Sequence, residues 1–131
     1  MIGKLFCVVI DVNDLAVAER FWSAVTGWPV TLSGWHDEYS EMRQEGSSVT
    51  LLLQKVPESK SAKNRMHLDF AVDDLAAATD AVTRLGGTVV KPAGVTVTWS
   101  DDYAADESDE PTLEWAVMAD PFGNEFCLVN G

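Results

Sequence analysis

The chain repeats itself. Cys7 to Val30, CVVIDVNDLAVAERFWSAVTGWPV, lies over His67 to Val90, HLDFAVDDLAAATDAVTRLGGTVV, at a constant offset of 60 residues. Identities fall at Val12/Val72, Asp14/Asp74, Leu15/Leu75, Ala16/Ala76, Ala18/Ala78, Gly27/Gly87 and Val30/Val90. The apolar pattern matches between them.

Each half reads strand, acidic turn, helix, glycine stop, strand. Phe6, Val8, Ile10 and Val12 alternate with Cys7, Val9 and Asp11, so the first strand has two distinct faces. Asn13-Asp14 and Asp73-Asp74 are helix N-caps by composition, because a short carboxylate or amide accepts from the orphan N–H groups of a first turn. Leu15, Ala18, Trp22 and Val25 form one helical stripe, and Leu75, Ala78, Val82 and Leu85 form its counterpart. Gly27 and Gly86-Gly87 supply the stops.

Further strands are expected near Trp28–Leu32, near Tyr39–Gln44 and over Ser48–Gln54 in the first half. In the second they are expected at Thr88–Lys91, Leu113–Asp120 and Asn124–Asn130, with an irregular stretch after Lys91. DPFG, Asp120 to Gly123, is a turn signal between the last two. The sum is one α+β domain over 1–131 made of two βαβββ modules. Module 1 spans about 1–56 and module 2 about 64–131, with an acidic insertion at about 92–112.

Net charge is −12. Phosphate contact needs a basic face, so nucleic acid is excluded as a partner. An acidic field favours cationic small molecules instead. Six acids and no base stand in Asp101–Glu110, while Lys55, Lys60, Lys63 and Arg65 face one acid, Glu58, in Lys55–Arg65. Both segments read as polar loops. No apolar run reaches the roughly 20 residues of a membrane span, and MIGKLFCVVIDV lacks the features of a signal peptide. The expected compartment is the cytoplasm. The two cysteines, Cys7 and Cys127, sit in strand-like runs, which speaks against a disulfide scaffold.

Two paired modules with V-x-D-L…F-W…V-T-G-W, then H-L-D-F-x-V-D-D-L…L-G-G, then the closing DPFGNEFCLV, resemble the vicinal oxygen chelate superfamily. That superfamily includes glyoxalase I, bleomycin-resistance proteins and extradiol dioxygenases. LLLQKVPESKSAKNRMHLDF is most similar to its bacterial glyoxalase-like branch. The resemblance implies curled mixed sheets around a shared cavity, and a homodimer. In metal-dependent members one divalent ion is held by a His or Gln opening the first strand, a Glu ending the fourth, a His opening the fifth and a Glu in the eighth. Carried over, these positions fall on Cys7, Gln54, His67 and Cys127, with Glu125 two residues before the last. Only His67 matches. The resemblance therefore implies no favoured metal; if one is held, Cys7, Gln54, His67 and Cys127 are the ligands, and zinc is the ion most compatible with them.

The leading functional expectation is a metal-free, glyoxalase-like protein that binds a small molecule, with antibiotic sequestration as one form of it. The alternative is a lyase or isomerase with a divalent metal near His67. An extradiol dioxygenase is disfavoured, because the chain has only His36 and His67. A third possibility is a non-catalytic role in assembly or regulation. The expected site residues are His67 and Glu125 as proton carriers, with Cys7, Gln54, Arg65, Asp69, Trp35, Trp99 and Cys127 binding the ligand. Arg65, His67 and Asp69 alternate, so they share a face, with Arg65 free to clamp an anion or to pair with Asp69. Asp11 is a further candidate acid or base, or the partner of its adjacent turn. Trp22, Trp28 and Trp115 read as core, whereas Trp35 and Trp99 stand in polar contexts suited to a pocket wall.

Overall fold

A computed structural model of the chain describes residues 1–98 and 112–130. The chain divides into two compact units, Met1–Ala62 with Pro121–Asn124, and Lys63–Asp120 with Glu125–Gly131.

The first unit contains β1 (Cys7–Val12), α1 (Leu15–Thr26), β2 (Val30–Trp35), β3 (Tyr39–Met42) and β4 (Thr50–Lys55). Its sheet has the order β1-β4-β3-β2, with β1 parallel to β4 and the other pairs antiparallel. The second unit contains β5 (Leu68–Val72), α2 (Leu75–Arg84), β6 (Thr88–Thr98), β7 (Thr112–Ala119) and β8 (Glu125–Asn130). Its sheet has the matching order β5-β8-β7-β6, with β5 parallel to β8. The sequence repeat is thus a repeat of topology. This α+β pair of mixed four-stranded sheets is the architecture the sequence predicts.

The helices begin where the acidic turns predict. Asp14 Oδ1 accepts from the N–H of Val17 at 2.9 Å, and Asp74 Oδ1 from that of Ala77 at 2.9 Å. Asn13 does other work: its Nδ2 donates to the carbonyls of Val56 and Glu58, both at 2.9 Å. Gly27 ends α1 at φ 72°, a left-handed conformation that costs glycine little, and its N–H reaches Ser23 O at 2.8 Å.

Each helix covers one face of its own sheet. In the first unit Ala18, Phe21 and Trp22 of α1 are buried, as are Val12, Met42, Leu51 and Leu53 from the strands. In the second, Leu75 and Val82 of α2 are buried along with Ala116, Met118, Phe126 and Leu128. Burial of each large apolar side chain contributes about 1.5–3 kcal/mol, enough to fix which face turns inward. Leu85 departs from its expected stripe and is 41% exposed, because it follows the last helical residue as the C-cap.

Two strand boundaries differ from the sequence reading. β2 starts at Val30 rather than near Trp28, because the backbone of Trp28 is engaged by the end of α1. Its carbonyl accepts from Ser23 Oγ at 3.0 Å and its N–H donates to Thr26 Oγ1 at 3.1 Å. The expected irregular stretch after Lys91 is instead the continuation of β6. The register shifts between Lys91 and Val95, where Pro92 has no N–H to give and Gly94 takes φ 143°, and pairing with β7 then resumes as far as Thr98. The acidic segment Asp101–Glu110 and Trp99 lie outside the described residues. No helix among the described residues is long and apolar enough to cross a membrane.

Candidate functional site in the second unit

The register of the second sheet places the candidate residues. Asp69 on β5 stands across from Cys127 on β8, which stands across from Val117 on β7. The next row on the same face is Ala71, Val129 and Trp115. The rows between them, Leu68–Phe126–Met118 and Phe70–Leu128–Ala116, point the other way. That second face is the one α2 covers, and Phe70 and Phe126 meet there edge to face with centroids 5.8 Å apart. Within the unit the helix leaves the Asp69 face uncovered.

A cavity of about 380 Å³ lies on that face. Its wall includes Lys63, His67, Asp69, Trp115, Val117, Glu125, Cys127 and Val129. The volume falls in the range of small-ligand sites. Trp115, Val117 and Val129 provide an apolar surface, while His67, Asp69, Glu125 and Lys63 provide charge and hydrogen-bonding capacity.

Asp69 is the hub of the polar part. His67, one residue before β5, has its Nδ1 2.9 Å from Asp69 Oδ1. Cys127 Sγ is 3.8 Å from the same Nδ1. Burial pushes the Cys127 thiol up to about 11, and the charge of Asp69, a hydrogen bond from the thiol to that carboxylate, and the charge of Glu125 push the same way. The metal-free thiol therefore stays protonated at neutral pH and is no nucleophile.

The remaining candidates are placed as follows. Cys7 opens β1 in the first unit, half-buried; burial and the Glu41 carboxylate raise its thiol pKa against a hydrogen bond with the Leu52 backbone. Gln54 lies on β4, paired with Asp11 and Tyr39. Trp35 is 53% exposed at the β2–β3 hairpin, with ring contacts to His36 and Tyr39. Arg65 is exposed and outside the cavity wall, and Asp69 pairs with His67 instead. The reason is local: residues two apart on an extended chain share a face, while Arg65 lies in the irregular segment before the strand.

The register also shows which residues of the two sheets correspond. Val9 pairs with Leu52 and Asp11 with Gln54, whereas Asp69 pairs with Cys127 and Ala71 with Val129. With the offset of sixty, Val9 answers to Asp69. Cys127 therefore corresponds to Leu52, and Gln54 to Val129.

Trp115 is the residue the sequence reading missed. It reads as core but is half-buried on the cavity wall. The signal was available in LEWAVMAD: Trp115 and Val117 alternate with Ala116 and Met118, and only the latter pair is buried. Lys63, a loop charge by sequence, stands in the same wall. A second cavity, of about 230 Å³, lies in the first unit beside Asp11, Asn13, Glu58, Lys60, Phe122 and Asn124. Asn124 Nδ2 donates to Asp11 O there at 2.8 Å.

Donor chemistry decides whether the second-unit cluster suits a divalent ion. One ligand atom each from His67, Asp69 and Cys127 lies within 4.8 Å of the others. Imidazole, carboxylate and thiolate are all zinc ligands. Bonds of about 2.0–2.3 Å in a tetrahedron space ligand atoms roughly 3.3–3.6 Å apart, and the separations of 2.9 and 3.8 Å bracket that range. The residues fit.

Topology and site together define an α+β protein of two βαβββ units, with a cavity on the sheet face of the second unit that its own helix does not cover. The glyoxalase-like domain family matches residues 7–129, and the chain belongs to it. Its fold matches a glyoxalase-related enzyme from Fulvimarina pelagi, with TM-score 0.69, 15% identity, and coverage of 99% of this chain and 89% of that one. It also matches a glyoxalase/bleomycin resistance protein from Albidiferax ferrireducens, with TM-score 0.62, 22% identity, and coverage of 95% and 97%. A fosfomycin resistance protein from Mesorhizobium loti gives TM-score 0.68, 14% identity, and coverage of 100% and 93%. Comparison with curated proteins gives no match.

Proposed function

We propose that this glyoxalase-like protein binds a small organic cation with a flat apolar body in the cavity of the second unit. The observation that supports this is the meeting of Trp115 with Asp69 and Glu125 in the wall of one cavity, on the sheet face that α2 leaves open. An aromatic face attracts a cation and stacks on a planar group. Two carboxylates, Asp69 and Glu125, stand against one lysine, Lys63, in the wall, in keeping with the −12 charge of the chain. Sequestration of a cationic antibiotic is one function such a cavity serves. A cytoplasmic homodimer is part of the same reading.

The test is a thermal-shift and calorimetric screen of planar organic cations on chelator-treated protein. A ligand that binds the native state raises Tm. Trp115→Ala is expected to weaken the best ligand by about tenfold or more, the worth of a desolvated cation–aromatic contact together with its buried area. A panel without one binder, or a variant that binds as the native protein does, overturns the reading.

Proton-transfer catalysis, as in a lyase or isomerase, is the second reading, and the His67–Asp69 contact of 2.9 Å favours it. With Nδ1 donating to Asp69, Nε2 is the nitrogen with a lone pair for a substrate proton. A turnover that survives His67→Ala unchanged would exclude this role.

A further inference from the structure

We propose that the first unit carries a binding site of its own, for a small zwitterion of the α-amino-acid kind, in the cavity of about 230 Å³ beside Asp11, Glu58 and Lys60. The whole wall belongs to that unit. It comes from the end of β1, the segment that follows β4, and the turn at Pro121–Asn124.

The segment after β4 is irregular, yet its backbone is tied down. The Val56 N–H donates to Val12 O at 2.8 Å. Asn13 Nδ2 donates to the carbonyls of Val56 and Glu58, 43 and 45 residues along the chain. Asn124 Nδ2 reaches Asp11 O across 113 residues. The Lys60 side chain runs along the turn, its Cδ 3.4 Å and its Cβ 3.7 Å from where a Cβ on Gly123 would stand. Two amides thus hold the three parts of the wall together, and a wall formed in advance loses less freedom when a ligand enters.

Charge selects the ligand. Asp11 and Glu58 bring two carboxylates and Lys60 one ammonium to the same small space. A simple anion meets two like charges there, and a simple cation meets Lys60. A molecule with both signs offsets both: its ammonium goes to the carboxylates, and its carboxylate to Lys60, with the Ser59 and Ser61 hydroxyls as further donors. Phe122 supplies an apolar surface for a side chain. The volume of about 230 Å³ equals the share of roughly eight waters. That is the scale of an amino acid, below the roughly 300 Å³ at which drug-sized sites begin. The site also gives a role to three sequence features that the second-unit cavity leaves unused: Asp11, the lysine-bearing segment after β4, and the DPFG turn.

The experiment is a calorimetric and saturation-transfer NMR titration of the full chain with the standard amino acids. Each is tested beside its carboxamide, which keeps only the ammonium, and its N-acetyl form, which keeps only the carboxylate. At least one amino acid is expected to bind one per chain at millimolar concentration or below, and both of its single-charge forms at least about tenfold more weakly. Lys60→Met and Glu58→Gln alter exposed loop residues, so each should keep Tm while weakening that amino acid by about tenfold. Both residues line this cavity and not the one in the second unit, so their effect locates the binding. No amino acid bound at millimolar concentration, a single-charge form bound as tightly as its parent, or full affinity in either variant would overturn the proposal. The planar-cation screen with Trp115→Ala reads the other cavity, so the two proposals fail separately.

Discussion

His67 Nδ1 and Cys127 Sγ are sixty residues apart in the chain and 3.8 Å apart in space. The parallel pairing of β5 with β8 makes the contact, since Asp69 sits directly across from Cys127 and His67 is two residues before Asp69. One consequence concerns pH. The folded Cys127 pKa of about 11 lies above the ordinary thiol value of 9.0. As pH rises from about 9 to about 11, the unfolded chain releases this proton first and is favoured, so stability falls across that window. Below it the group contributes no pH dependence. The loss is on the order of 1–2 kcal/mol. Urea unfolding at both ends of the window should show a smaller fall for Cys127→Ala than for the native chain; equal falls would mean the thiol is not held protonated.

The helix caps should be separable from the rest of the fold. Asp14→Ala and Asp74→Ala each remove a carboxylate that accepts a first-turn N–H at 2.9 Å. Each is expected to cost about 1 kcal/mol. Asp→Asn at either site should recover most of that in urea unfolding, because an amide oxygen also caps.

Gly87 allows no side chain. A Cβ there would stand 2.6 Å from Val82 Cγ1, 2.9 Å from Ala119 O and 3.0 Å from Val82 O. Gly87→Ala should destabilise by about 1–3 kcal/mol. Adding Val82→Ala should restore only part of it, because two of the three close atoms are backbone oxygens. Full recovery in the double variant would show that the side chain alone sets the limit.

The β2–β3 hairpin carries strain that can be removed. His36 and Asp37 take φ 53° and 59°, and Glu38 N–H bonds to Trp35 O at 3.1 Å, the pattern of a type I′ turn. Non-glycine residues pay roughly 1–2 kcal/mol in that region. Replacing the pair with Asn-Gly should raise stability by about 1 kcal/mol and Tm by a few degrees. An unchanged Tm would mean that His36, whose ring packs on Trp35 with centroids 4.3 Å apart, offsets its own strain.

Much of the fold was legible because its signals are local. Period-2 alternation marks β1, period-3.6 stripes mark α1 and α2, and Asp14, Asp74 and Gly27 punctuate them. Misread boundaries have long-range or side-chain causes. Trp28 leaves the ladder because Ser23 and Thr26 capture its backbone, and β6 continues past Pro92 because β7 is there to pair with it. Ser40 is polar in sequence yet fully buried, which is tolerable because its hydroxyl meets Glu19 and the Gly34 N–H.

The sequence by itself determined that there are two alike βαβββ halves, which residues alternate in their strands, and that His67, Asp69, Glu125 and Cys127 were worth watching. Such information is carried by residue spacing, and spacing is all a chain needs to define faces. Only the tertiary structure decided which of these residues meet. Register across β5, β8 and β7 brings Asp69, Cys127 and Val117 into one row and puts Trp115 in the next, turning a residue read as core into a cavity wall. The same register makes Cys127 the counterpart of Leu52, and Val129 that of Gln54. Strand alternation has a period of two, so a shift of one residue in pairing exchanges the faces, and a chain's own sequence does not show which shift its partner strand adopts.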